Sequence, residues 1–366
     1  MPRVQRPALE SFTEALLVAL DTPESLAPDV ADSLVTADLR GHSSHGVRQL
    51  VSKYAGEITE GKIEPTAVPR IEREGEPWAL VDGELAYGQL AGKLAVDTAI
   101  DRADEYGIGL ASLKRVSHIG RVGEFAERAC EAGMAFVGFV SNPGSAWVAP
   151  PGSAQRRFST NPIAIGIPTF GALEFPLVAD LSTAQVAHGK IKERAASGES
   201  VPDEWLVADS GESMTDPATF EASGEGAIFP LGGRTAGYKG FNLSVMSELL
   251  TANVADGTVS GMSDVIWGNH ATFFVVDLEA FTARERIADR AAAIADYVRS
   301  TDFSADLSPG AAANGDETLL PGEAEHTATV RCRDDGVPFS SADAESLVEL
   351  ARREGVTEDA IPAAFR

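Results

Sequence analysis

Twelve consecutive residues, Ala37 to Arg48 (ADLRGHSSHGVR), hold the densest set of reactive side chains in the chain. They include His42, His45, Asp38, Arg40, Arg48, Ser43 and Ser44. An imidazole exchanges protons near neutral pH, a carboxylate can orient it, and an arginine fork suits a substrate carboxylate. Asp38, His42 and His45 also match common metal ligands, so a metal-dependent hydrolase or lyase is one alternative. No cysteine or second histidine cluster stands nearby to complete such a site, and no metal ligand set is assigned. The plain alternative is that Asp38, Ser43 and Ser44 cap helix ends beside two solvated histidines.

Two predicted helices flank this stretch. Pro28 to Leu39 begins with a proline suited to a first turn and repeats Val30, Leu34 and Val35 at helical spacing. Gly41 breaks it, and Gly46 to Glu60 opens a second segment through Val47, Leu50, Val51 and Tyr54. A first helix is expected over Ala8 to Leu20. From Pro77 the pattern becomes mixed. Strands are expected at 78–83, 108–113, 134–140, 163–167, 175–179 and 272–276, with a short one near Leu319. Helices are expected at 91–106, 123–132, 183–196, 238–255, 281–299 and 341–354. Residues 141–157 read as a loop, 201–226 as turn-rich, and 300–317 as loose and acidic. The fold class is α/β, with a large mixed sheet and a discontinuous helical part. The expected division is 1–70 helical, 71–182 with 256–282 as the mixed α/β unit, and 183–255 with 283–366 as further helical segments. No strand leads through Gly-x-Gly-x-x-Gly into a helix, so the common dinucleotide fingerprint is absent.

The 366 residues carry 55 acidic against 30 basic side chains, a formal charge of -25 spread along the whole chain. Only seven of the basic residues are lysines: 53, 62, 93, 114, 190, 192 and 239. An acidic, lysine-poor surface is expected where molar salt screens self-repulsion, which points to a halophilic protein of a salt-accumulating cytoplasm. The same charge argues against nucleic-acid or anionic-membrane partners. No apolar run reaches membrane-spanning length, and no signal-peptide core follows the N-terminus. Cys130 and Cys332 read as small buried hydrophobes.

A set of stretches in order resembles the malate/L-lactate dehydrogenase family, whose members lack a Rossmann fold and include ureidoglycolate, sulfolactate, diketogulonate and cyclic imino-acid reductases. These are Asp38–Val47, Val81-Asp82-Gly83, Gly88-Gln89, Ser117–Gly120, Thr160-Asn161-Pro162, Asp180–Thr183, Gly189-Lys190-Ile191, Thr215-Asp216-Pro217, Pro230–Gly233, Gly237–Phe241 and Leu320–Glu323. They span roughly residues 8–350.

The resemblance implies hydride transfer between NAD or NADP and a small 2-hydroxy or 2-keto acid of malate, lactate, ureidoglycolate or sulfolactate type, by a homodimer. A cyclic imine is the alternative substrate within the family. It implies His45 as proton carrier, Asp180 as its carboxylate partner, and His118 as a second proton carrier or cofactor neighbour. It implies Ser44 and Thr160 as substrate hydrogen-bond donors. For the cofactor it implies Asn142, Leu181, Ser182, Pro321, Gly322 and Glu323, with Lys239 and Gly240 on the pyrophosphate. Arg156 and Arg157 are candidates for a 2′-phosphate. The chain departs from the family where an arginine usually stands four residues after the catalytic histidine. Here Arg48 is third and Gln49 fourth, so substrate binding is assigned to Arg48, with Gln49 as the competing position. Ile119 replaces the usual Phe, and Ala149–Ser153 replaces the usual Trp and Gly pair. His42, His188, His270 and His326 are read as ordinary surface or packing residues.

Overall fold

A computed structural model describes residues 1–263, 268–302, 313–314 and 317–366. Its centre is a seven-stranded mixed sheet. The strands are β1 (Arg70–Glu74), β2 (Trp78–Asp82), β3 (Ile108–Val116), β4 (Ala135–Ser141), β5 (Ile163–Ile167), β6 (Leu177–Leu181) and β7 (Asn269–Val276). Their order is β1-β2-β3-β7-β4-β5-β6. Only the β2–β3 pair is parallel; the other neighbours are antiparallel. β7, late in the chain, is therefore the middle strand.

The longer helices are α1 (Arg6–Ala19), α2 (Ala27–Leu39), α3 (Gly88–Tyr106), α4 (Gly123–Glu131), α5 (His188–Ser197), α6 (Tyr238–Ala255), α7 (Arg284–Arg299), α8 (Glu323–Asp335) and α9 (Ser341–Arg353). α3 connects the parallel strands and shows why it can lie so close to them. Ala91, Ala95, Ala99 and Ala103 recur every fourth residue on its buried face. A side chain at Gly109 of β3 would stand 1.9 Å from the Ala99 carbonyl oxygen. The helix stops at Gly107, whose φ of +80° only glycine adopts without strain.

Among the described residues, five apolar cores result, three of them the larger. α1, α2 and α9 pack Leu9, Phe12, Leu16, Leu34 and Leu347 with Tyr54 and Tyr87. The sheet core centres on Phe273, whose ring lies 5.2 Å from both Phe125 and Phe136. A third, smaller core joins Val148, Ala184, Ile191, Leu206 and Phe220 around a three-stranded sheet with Leu206–Val207 in the middle. The sequence reading grouped 183–255 with the helical segments. In the structure 184–228 gathers in this separate core, and α6 lies on β4 and β7.

Several expectations shift. The helix expected from Gly46 begins instead as a π-helical turn, Leu50–Tyr54, continued by Ala55–Thr59. The strand expected to end at Ala179 runs through Leu181, and the helix expected from Thr183 starts at His188. β1 escaped notice because Arg70-Ile71-Glu72-Arg73-Glu74 is exposed at every position, so no alternation marks it. α8 buries only Ala328, Thr329 and Cys332 and shows no apolar stripe. Of the loose acidic stretch, 303–312 and 315–316 lie outside the described residues; Ala313–Asn314 pairs with Glu317–Thr318. Cys130 and Cys332 are free and buried, as expected.

Candidate active site

His45 closes one tight turn, Ser43–His45, between α2 and the π-helical turn. The turn is held from behind by Asp38. This carboxylate is 6% exposed and accepts a hydrogen bond from the Val47 backbone N–H at 2.8 Å. Gly46 leaves room for it: a Cβ there would lie 1.9 Å from Asp38 Oδ1. Asp38 is thus a strut for the loop, facing away from the metal role considered above. Among the described residues no group of three His, Cys, Asp or Glu is placed to hold a metal ion.

Burial pushes the Asp38 carboxyl up to about 7, from 3.8. A carboxyl with a raised folded pKa stabilises the fold while protonated. That contribution is fully present below about pH 4 and is lost as pH rises to about 7. Asp38→Asn, which does not titrate, should therefore gain stability on the wild type across pH 4–7, by no more than about 4 kcal/mol. Denaturant midpoints at pH 4, 5.5, 7 and 8.5 measure this; parallel curves for the two proteins would refute it.

The π-helical turn presents Tyr54 to the second histidine. The Tyr54 phenol is buried, receives the Gln89 amide at 2.7 Å and lies 3.1 Å from His118 Nδ1. In the direction in which Gln89 donates to the phenol, the phenol's one proton goes to Nδ1, and neutral His118 then carries its own proton on Nε2. The His118 and His45 rings stack with centroids 5.4 Å apart and 27° between planes. His45 Nδ1 stands 3.0 Å from Ser44 Oγ. Burial, reinforced by the neighbouring cationic groups, lowers His45 to about 3 and holds His118 well below its ordinary value. Both rings are neutral at pH 7.

Asp180, on β6, reaches the same cavity by another bond than expected. It accepts from the Gly123 N–H at 2.7 Å, beside the buried Arg121 guanidinium, and makes no hydrogen bond to His45. Burial raises its pKa despite Arg121. Arg121 is itself paired with Glu127. The His45–Asp180 dyad inferred from sequence is thus not closed in this structure.

A cavity of about 340 Å³ lies between His45, Arg121, Asp180, Gln185 and Lys190. One of about 380 Å³ lies between His118, Arg48, Lys53, Asn142 and Lys192. Ser44, His45, Thr160 and Ala187 line both, so the two form one cleft with His45 at the join. Ser44 touches α5 closely enough that a side chain at Gly189 would stand 2.6 Å from its Cβ. The Thr160 carbonyl takes hydrogen bonds from Ser182 and Thr183, tying the loop before β5 to the end of β6.

Of the residues expected at the cofactor, Asn142, Leu181 and Ser182 line this cleft. Lys239, Gly240, Pro321, Gly322 and Glu323 do not. Gly240 backs onto Leu231, where a Cβ would lie 2.3 Å from the backbone nitrogen. The Pro321 carbonyl accepts from Val178, and Glu323 binds Arg299 at 2.8 Å and the Leu320 N–H. Gly322, at φ +88°, caps α8. Arg48 lines the cleft but pairs with Glu193 at 3.3 Å, which also accepts from Ser43. The Gln49 amide donates to the Ser44 carbonyl. Arg156 is spent on the carbonyls of Phe220, Glu225 and Gly226, its guanidinium over Phe220; Arg157 bonds Gln155 at the surface.

Sequence reasoning missed Lys53, Arg121, Lys190 and Lys192 as cleft residues, and Tyr54 as the support behind His118. The available signal was the scarcity of lysine: three of the seven gather here. His42, read as an ordinary surface or packing residue, lines the cavity and bonds Glu325 at 3.0 Å. His188, read likewise, stacks on Trp147 with centroids 3.7 Å apart and bonds Glu221.

Known proteins share this architecture over nearly the full length. The malate/L-lactate dehydrogenase family model matches residues 4–348. A malate dehydrogenase of Pyrococcus abyssi is 31% identical over 97% of this chain and 95% of its own. An L-sulfolactate dehydrogenase of Methanocaldococcus jannaschii is 29% identical over 93% and 94%. The solved structure of malate dehydrogenase from Pyrococcus horikoshii superposes with a TM-score of 0.83 at 31% identity, covering 97% of this chain and 96% of that one. Fold and relatives together define an enzyme of the 2-hydroxyacid dehydrogenase class. The chain belongs to the malate/L-lactate dehydrogenase family.

Proposed function

We propose that the cleft interconverts a small 2-hydroxy acid and its 2-keto acid with NAD or NADP. The observation that carries this reading is the stacked His45–His118 pair at the join of two cavities, walled by Arg48, Lys53, Lys190 and Lys192. The residues suit a nicotinamide dinucleotide in kind. Asn142 Oδ1 is a buried acceptor without a donor at the cleft wall, and Lys190 and Lys192, at the start of α5, have no ion pair within 4 Å among the described residues. Bound there, the nicotinamide supplies or accepts the hydride.

The chain's own residues do the rest. His45 gives the keto oxygen its proton in reduction and takes the hydroxyl proton in oxidation. A substrate carboxylate entering beside Arg48 favours imidazolium, so substrate binding offsets the burial that keeps His45 neutral. Ser44 and Thr160 donate to substrate oxygens. Asp180 acts on His45 through the shared cavity and its Arg121 neighbour. Asn142, Leu181 and Ser182 are the cofactor residues at the cleft wall in this reading, and Lys239, Gly240, Pro321, Gly322 and Glu323, which lie off the cleft, are carried over from the family resemblance alone. It also keeps a homodimer in a salt-rich cytoplasm. Supporting it are the -25 charge and the apolar side chains of Phe281, Tyr297 and Ile294 at the surface, 76%, 75% and 49% exposed.

The test is oxidation of NADH and of NADPH, followed by absorbance in molar KCl. The substrates are oxaloacetate, pyruvate, sulfopyruvate, oxalurate, diketogulonate and a cyclic imino acid. Turnover of a keto acid is the expected result, and its preferred reductant identifies the cofactor. Turnover of the imine alone would move the activity to the alternative substrate. No turnover and no nicotinamide binding by the folded protein would refute the reading.

A further inference from the structure

We propose that Lys53 selects substrates bearing a second anionic group, so that this cleft prefers dianionic 2-keto and 2-hydroxy acids over monoanionic ones. The proposal rests on the oxidoreductase reading above and adds which substrates the site favours and which residue decides.

Of the lysine and arginine side chains whose charge acts on His45, namely Arg121, Lys53 and Arg48, Lys53 alone has no carboxylate within hydrogen-bond distance. Arg48 is engaged by Glu193 at 3.3 Å, and Arg121 by Glu127. The Lys53 ammonium makes no hydrogen bond to the described residues. Its one ionic neighbour is Glu57 Oε1 at 3.9 Å, too far for a hydrogen bond. It lines the cleft with His118, and its charge acts on both histidines. It is only 29% exposed, so most of its shell of water is already gone. Three donors on a partly desolvated ammonium are a site for an anion, provided that anion arrives with the substrate.

The backbone explains how Lys53 comes to lie there. A π-helical turn spans Leu50–Tyr54 and carries one extra residue over an α-turn. It brings Lys53 into the cleft with Arg48 and Gln49 while Tyr54 supports His118. The 2-carboxylate and the reacting carbon are accounted for by Arg48, Ser44 and the histidines. Lys53 lines the same cavity as a further positive charge, with Lys192. On a chain of net charge -25 a dianion meets net repulsion, so concentrating three of seven lysines here focuses attraction on the cleft. Glu57, 3.9 Å from Lys53, is a weak competitor for the ammonium, because burial pushes its carboxyl up to about 7 and leaves its Oε2 without a partner.

The experiment compares matched acids of similar size: oxaloacetate with 2-oxobutyrate for kcat/KM, and L-malate with L-lactate for calorimetric Kd in the presence of cofactor. The wild type should favour the dianion in both. Lys53→Met should cut the oxaloacetate/2-oxobutyrate ratio by about thirtyfold or more, the loss expected when one partner of a desolvated charge pair is removed. Lys53→Arg should keep most of the ratio. Both effects should persist in molar KCl, because direct contact is screened far less than long-range steering. A ratio unchanged in a Lys53→Met protein with wild-type thermal midpoint would overturn the proposal. So would a wild-type preference for the monoanion, or an effect that vanishes in salt. If the wild type neither binds nor turns over any of the four acids, the oxidoreductase reading itself fails.

Discussion

His45→Ala will lower kcat roughly tenfold or more, whereas His118→Ala will chiefly weaken cofactor binding. The assignment predicts a pH signature as well as a rate. Burial lowers His45 to about 3, so the ring is neutral throughout the working range. In oxidation it acts as base, and the neutral form is already present. kcat/KM for the hydroxy acid should then show no inflection at the ordinary imidazole value near 6.5. In reduction it acts as acid, and the protonated fraction above its pKa falls tenfold with each pH unit. kcat/KM for the keto acid should fall with that slope from pH 5 to 8. His118 differs because its Nδ1 is engaged by the Gln89–Tyr54 chain. Losing that ring empties the wall beside Asn142 and leaves the proton path through His45 intact. Steady-state kinetics and cofactor titration of both variants decide the matter. If His118→Ala abolished turnover while His45→Ala only raised KM for the cofactor, the two roles would be exchanged.

Gly46→Ala should be the most damaging small substitution near the site, because it acts on fold and chemistry together. The added methyl would stand 1.9, 2.2 and 2.4 Å from Asp38 Oδ1, Cγ and Oδ2. Asp38 is short, almost wholly buried and bound to Val47, so it cannot swing aside without abandoning that bond. Overpacking and a broken buried hydrogen bond together cost on the order of 3 kcal/mol. His45 precedes the altered residue, so activity should fall well beyond the loss of folded protein. Urea midpoints and kcat per folded molecule check the two parts. In Asp38→Ala/Gly46→Ala the cost should be less than the sum of the single changes, since the obstruction is gone. A Gly46→Ala protein with wild-type midpoint and rate would show that the loop tolerates the shift.

Much of the site was legible because it is local. Ser44, His45 and Arg48 occupy five consecutive residues, and glycines punctuate the turn they share. The mixed sheet was legible where strands are apolar, as in β4 and β7. Features that depend on contacts far apart in sequence were harder to read. Asp180 bonds Gly123 and neighbours Arg121, a pairing that no spacing announces. The π-helical turn looks in sequence like any amphipathic helix, since Leu50 and Tyr54 keep an ordinary i, i+4 relation. Its register decides that Lys53 faces the cleft. β1 and α8 carry charge on nearly every side, so hydrophobic periodicity has nothing to detect.

The place of β7 has a consequence for biosynthesis. Its ladder runs from Ser141 to Ala135 on one side and from Val116 to Ile108 on the other, and no other strand joins those halves. A nascent chain that has not yet exposed Asn269 to Val276 outside the ribosome therefore holds two half-sheets, each with an open inner edge. Phe125 and Phe136 must wait for Phe273 to close the core between them. Assembly of the sheet is a late, long-range event. During translation, that interval is when the chain most needs protection from its neighbours.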